Sequence, residues 1–188
     1  MARTTGGART SGGLRERLLA SALRLFVEHG FRGTSLAGIA ADVGCSKASL
    51  LYHFSNKEAI LAELLLPIGR EVAALDVRLA GLDGEKAAAA TVHGFVDLTL
   101  RYRREIKLLF DTDAECRPDL EVEGLEGVEE RLLDAMAGRS AEPSDRVAAL
   151  MALSGMFVTS AADLPYDDDT LRAAMVAAAL RTLGRAHD

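Results

Sequence analysis

The stretch Ser46-Lys47-Ala48-Ser49-Leu50-Leu51-Tyr52-His53-Phe54-Ser55-Asn56-Lys57-Glu58-Ala59-Ile60 decides how the rest of the chain is read. It covers about four helical turns and mixes small polar residues, an aromatic hydroxyl, a histidine and two lysines. A solvent face rarely carries Leu51 beside Tyr52, and a core rarely carries Lys47 and His53. Ser46 suits a helix N-cap. With Leu50 set inward and a step of about 100° per residue, Phe54 also turns inward. Ala48 and Tyr52 turn away, flanked by Ser49 and Leu51. The outer face is therefore small, hydroxylic and aromatic, with Lys47 at the helix start. Small residues let a helix sink into a groove about 12 Å wide. Hydroxyls and lysines reach phosphate oxygens, and apolar edges meet thymine methyls. The surface expected for this helix is the DNA major groove.

Upstream, Leu14, Leu18, Ala22, Leu25 and Phe26 recur at the spacing of an amphipathic helix that Gly30 ends. Ser35 caps a second helix carrying Leu36, Ile39, Ala40 and Val43, with Gly38 where a capping-box Glu would stand. Gly44 stops that helix after two turns. Two short helices joined by a turn at Gly44 have the sequence form of a helix-turn-helix.

The segment Gly30 to Leu61, GFRGTSLAGIAADVGCSKASLLYHFSNKEAIL, resembles the N-terminal signature of TetR-family transcriptional regulators. The matching pieces are the glycine and hydroxyl pair before Ile39-Ala40, the Gly44-Cys45-Ser46 turn, and Tyr52 to Leu61 running into the next helix. The resemblance covers roughly the first third of the chain. It implies an all-helical, homodimeric repressor that binds a double-stranded DNA operator and holds a small-molecule pocket in its C-terminal body. It also implies a phosphate contact by Lys57. One position departs: the family's phosphate-contacting tyrosine falls on Leu51 here, and Tyr52 lies one step on. The candidate DNA-binding residues are Thr34, Ser35, Ser46, Lys47, Ala48, Ser49, Leu51, Tyr52, His53 and Lys57.

Charge supports the division. The 188-residue chain carries a net −6, yet residues 1–56 hold seven Lys/Arg against three Asp/Glu, and the remainder fifteen against twenty-five. A basic segment on an acidic body suits a nucleic-acid module attached to a regulatory domain. Expected divisions are a flexible arm at 1–13, the helix-turn-helix domain at 14–56, and a ligand-binding and dimerising body at 57–188. Met1 to Gly13 lacks the apolar run of a secretory signal, and the longest apolar run, 147–162, is short for a membrane span. Cys45 and Cys116 show no paired spacing, so a cytoplasmic protein with no membrane partner is expected. Cys116 beside Arg117 reads either as a thiolate sensor or as an ordinary cysteine.

In the body, Asn56-Lys57-Glu58 opens a fourth helix. Pro67 within it reads either as a kink or as the first residue of a new helix. After a break at Gly81–Gly84, helices are expected at 85–102, 105–110, 120–136, from Ser144 or Asp145 to 162, and from Asp168 or Asp169 onward. The helix at 144–162 is apolar nearly all round and must be covered on two sides, by a second subunit or within one chain. Its small residues Ala148, Ala152, Gly155 and Thr159, with the stripe Leu171, Met175, Ala178 and Thr182, are the candidate dimer interface. Phe95, Thr99 and Tyr102, with Phe110, Met151 and Phe157, are candidates either to line the pocket of a small, largely apolar effector or to pack as ordinary core.

No catalytic constellation emerges. His29, His53, His93 and His187 lack zinc-site spacing, no nucleophile elbow or phosphate loop is present, and neither metal nor cofactor is expected. Two functions follow: a ligand-responsive DNA-binding repressor, or a ligand-independent DNA-binding protein whose body only dimerises.

Overall fold

The computed structural model describes residues 7–112 and 125–184. Residues 1–6, Cys116, His187 and the expected helix start near Leu120 lie outside them. The described residues are all-α. Their helices are α1 (Gly7–Gly33), α2 (Leu36–Val43), α3 (Lys47–His53), α4 (Lys57–Leu79), α5 (Gly84–Arg101), α6 (Arg103–Asp111), α7 (Val128–Met136), α8 (Pro143–Ala161) and α9 (Asp168–Thr182). Contacts divide the chain into two compact units, Met1–Leu65 with Leu108–Leu120, and Leu66–Lys107 with Glu121–Asp188. The division falls within α4 after Leu65, whereas the sequence reading drew it at residue 56.

In the first unit, α1 loses helical geometry at Gly30 (φ 74°, ψ 161°), the expected stop. Residues 7–13, expected as part of an arm, are helical instead. Once the Leu14–Phe26 stretch is helical, each added residue needs no new nucleation. Leu18, Ala22, Phe26, Ile39, Leu50, Phe54, Ile60 and Leu61 close a core with at most 3% exposure each. A polar bracket ties α1 to α2 alongside it. Ser21 Oγ donates to Asp42 at 2.6 Å, Arg24 donates to the other Asp42 oxygen at 2.5 Å, and Arg17 donates to the Val43 carbonyl at 2.5 Å. The hydrogen bonds from Ser21 and then Arg24 hold the Asp42 carboxyl below its ordinary range.

In the second unit, α5 is the central helix, packed by α7, α8 and α9. Its buried set of Ala87, Ala88, Thr91, Val92, Phe95, Val96, Leu98 and Thr99 spans more than one face. Gly94 lets it approach α4: an added Cβ would stand 2.5 Å from Leu75 Cδ1. Arg139 donates to the carbonyls of Leu79 and Leu82, fixing the end of α4. Arg172 pairs with Asp97, and Arg131 with Asp76.

Several helix bounds differ from expectation. α4 runs through Pro67 without ending, so Pro67 does not begin a new helix. α7 starts only at Val128, after Gly127 in the left-handed region. α8 begins earlier than Ser144, with Pro143 in its first turn, where a missing N–H costs no helical bond. α9 is capped by Asp167, whose carboxylate accepts from Thr170 N. Proline pre-organisation and reach to the third amide decide these caps, and neither follows from apolar periodicity.

Candidate nucleic-acid interface

The turn between α2 and α3 is built from backbone preferences. Gly44 adopts φ 76°, the left-handed region where an L side chain is strained. Its N–H donates to the Ala41 carbonyl at 3.1 Å, and Cys45 N–H to the Ala40 carbonyl at 2.9 Å, closing the end of α2. Ser46 then caps α3, accepting from Ser49 N at 3.0 Å. α3 is therefore held by its own termini and by two buried anchors, Leu50 (0% exposed) and Phe54 (3%).

The opposite side of α3 is open. Tyr52 is 85% exposed and Leu51 43%. Lys47 and Ala48 are exposed, while Ser49 and His53 are half-buried. The Tyr52 ring meets His53 edge-on at 5.3 Å, which limits where the phenol points. Beside α3, a depression is lined by Arg32, Thr34, Ser35, Leu36, Ala37, Lys47, Asn56, Lys57 and Glu58. The N-termini of α2 and α4 border it: Ser35 Oγ accepts from Gly38 N at 3.0 Å and Asn56 Oδ1 from Ala59 N at 2.7 Å. Amides at helix N-termini together with basic side chains make a surface suited to anionic oxygens.

Seven of the ten candidate residues lie on α3 or at its N-cap, Ser46, Lys47, Ala48, Ser49, Leu51, Tyr52 and His53, while Ser35 caps α2 and lines the depression beside α3. Two stand differently. Thr34 is buried (5% exposed), and its hydroxyl donates to the carbonyls of Leu25 and Gly30, so it latches the α1–α2 loop rather than offering a free hydroxyl. Lys57 turns its ammonium to two carbonyls of the same loop. Arg32 and Asn56, which also line the depression, are not among those ten residues. Their signal was position: a basic residue just before the Ser35 cap of α2, and the residue that caps α4.

The candidate effector lining does not converge. Phe95 (8% exposed) belongs to the core of the second unit, with Phe157 half-buried against it. The buried Thr99 hydroxyl donates to the Val96 carbonyl. Tyr102 donates to Glu71 Oε1 at 3.1 Å, and burial, then Glu71, push its phenol above the ordinary range. Phe110 falls in the other unit. Met151, 63% exposed, lines an apolar groove between α8 and α9 that includes none of the other five. Facing inward along a helix does not make residues share a cavity.

That groove does gather Ala152, Gly155, Thr159, Leu171, Met175, Ala178 and Thr182. Ala148 is not part of it. Leu171 and Met175 are buried within the chain, because α9 packs on both α5 and α8. The larger exposed apolar residues of α8 are Val147, Leu150, Met151 and Val158, each above half exposed, and none of them is among the small candidate interface residues. α8 is thus not wholly buried within one chain; α5 is the helix that α7, α8 and α9 all pack against.

A sequence model of the family described as bacterial regulatory proteins, tetR family, matches residues 18–64. The HTH-type transcriptional regulator RutR of Escherichia coli K12 is 35% identical over 107 residues, 55% of this chain and 48% of RutR. The HTH-type transcriptional repressor AcnR of Corynebacterium efficiens is 32% identical over 108 residues, 55% of this chain and 54% of AcnR. The chain thus spans about half the length of the curated relatives it matches. The crystal structure of Mycobacterium smegmatis AmtR aligns with a TM-score of 0.64 at 25% identity, covering 99% of this chain and 90% of AmtR. The chain carries the N-terminal helix-turn-helix of the tetR family of bacterial regulatory proteins, on an all-helical fold like that of AmtR.

Proposed function

We propose that the chain is a DNA-binding transcriptional regulator, a repressor acting as a homodimer on a palindromic operator. The observation that carries this reading is α3: anchored inward by Leu50 and Phe54, it presents Lys47, Ala48 and Tyr52 outward, each exposed among the described residues. Ala48 would let the helix backbone approach base edges, and Tyr52 and Lys47 would reach phosphates. The N-terminal amides of α2 and α4 would hold further phosphate oxygens. The basic excess of residues 1–56 would make binding strongly salt-dependent. In this division of labour, residues 14–56 read DNA and 57–188 form the body.

Dimerisation is proposed through α8 and α9, with the exposed Val147, Leu150, Met151 and Val158 of α8 as its apolar face. Two heads related by a two-fold axis would match inverted half-sites. A small, largely apolar effector is proposed to shift head spacing. The second reading, a body that only dimerises, is favoured by Phe95, Thr99 and Phe157 being packed or internally bonded. A thermal-shift screen of metabolites separates the two. The cellular place proposed is the cytoplasm, where the operator would be; among the described residues no helix is long and apolar enough to cross a membrane.

The test is selection of duplexes by the full chain from a randomised pool, followed by anisotropy titration. Replacing Lys47 and Tyr52 together by Ala should weaken affinity by at least about tenfold, the scale of one lost contact of 1–3 kcal/mol. The melting temperature should not move, since both side chains are exposed. Unchanged affinity, or no enriched duplex, refutes the assignment.

A further inference from the structure

Lys57 is the first residue of α4, but its side chain works on the segment between α1 and α2. Nζ donates to the Phe31 carbonyl at 2.8 Å and to the Thr34 carbonyl at 2.9 Å, and stands 4.7 Å from the centre of the Phe31 ring. No carboxylate pairs with it among the described residues. Phe31 lies beyond the break at Gly30 and Thr34 lies between the two helices. The end of α1 is a place where exposed carbonyls and the helix dipole favour a cation. Two of the three ammonium protons serve those carbonyls, and the Phe31 ring face attracts the same charge. Phe31 is itself fixed, 3% exposed and 5.1 Å from the Phe26 ring.

The chain of contacts continues into the DNA-reading elements. Thr34, held through its carbonyl by Lys57, latches the loop a second time through its hydroxyl to Leu25 and Gly30. The next residue, Ser35, is the N-cap of α2. The direction in which α2 starts, and so where its free amides point, therefore depends on where Thr34 is held. We propose that Lys57 is a positioning residue: its ammonium clamps the α1–α2 loop to the start of α4 and so sets the α2 N-terminus for DNA. The proposal rests on the DNA-binding reading above.

The test uses the full chain with Lys57→Gln, Lys57→Arg and Thr34→Val. Without DNA, Lys57→Gln should speed amide exchange in peptides covering 31–38 by about tenfold or more and leave the α3 peptides unchanged. Lys57→Arg, which retains a cation with several N–H donors, should restore protection. On a duplex selected by the wild-type chain, at a temperature where every variant is folded, Lys57→Gln should weaken binding about tenfold. Thr34→Val should weaken it through the same loop, so the double variant should lose less than the product of the two single losses. Unchanged exchange at 31–38 overturns the clamp whatever DNA does. Faster exchange with unchanged affinity reduces Lys57 to a structural residue, and a double variant equal to the product makes it a direct contact; either result overturns the proposal. A wild-type chain that enriches no duplex removes the DNA reading, and this role with it.

Discussion

Gly155 separates fold from assembly. It lies on the exposed side of α8, and nothing stands within 4 Å of where its Cβ would be. Within one chain, Gly155→Glu adds a solvated side chain to a helix interior and replaces the residue with the greatest backbone freedom. Helix propensity alone should then stabilise the lone chain by about 0.5–1 kcal/mol. In the proposed dimer the sign reverses. Gly155 lines the α8–α9 groove with Met151, Thr159 and Ala178, and a carboxylate there would be buried without a partner. An uncompensated buried charge costs about 3 kcal/mol or more. A two-fold interface contains two copies. At about 1.4 kcal/mol per decade, the dimer dissociation constant should rise by roughly 10⁴. Light scattering coupled to size exclusion reads the mass, and a melting curve reads the fold. The expected result is a wild-type dimer at micromolar concentration and a folded, monomeric Gly155→Glu variant that has lost operator binding. A monomeric wild type, or a variant that dimerises as well as wild type, refutes the reasoning.

Gly94→Ala should destabilise the second unit by about 1–3 kcal/mol, measured by urea denaturation, because its Cβ would meet the buried Leu75 at 2.5 Å; a neutral result would mean that α4 and α5 separate easily. Asp42 should make the first unit acid-sensitive. Its folded pKa lies below its unfolded value of about 3.9, so its contribution is complete above that value and is lost as pH falls through the folded pKa. Asp42→Asn should therefore melt below wild type at pH 7, with the gap closing only as pH falls below about 4. A gap constant over that range would show that Asp42 carries no proton-linked stability.

Much of the head was legible because its determinants are local. Gly30 and Gly44 stop helices through backbone freedom, and Ser35 and Ser46 start them through a side chain that reaches three residues on. The 100° step from Leu50 then separates the buried Phe54 from the exposed Ala48 and Tyr52. These are relations between neighbours in the chain, and no distant residue alters them. The hydrogen bonds of Thr34 and Lys57 were not legible, since which loop carbonyls a threonine between helices and a lysine at a helix start hold depends on the folded loop. The body shows the same limit more strongly. Apolar periodicity in α5, α8 and α9 marked residues that avoid water, but it carries no information on which helix covers which stripe. Tertiary packing put α5 at the centre, drew Leu171 and Met175 inward, and left Val147, Leu150, Met151 and Val158 at the surface. Burial of apolar area is non-directional, so the sequence by itself determined that those stripes must be covered, and only the assembled helices decided by what.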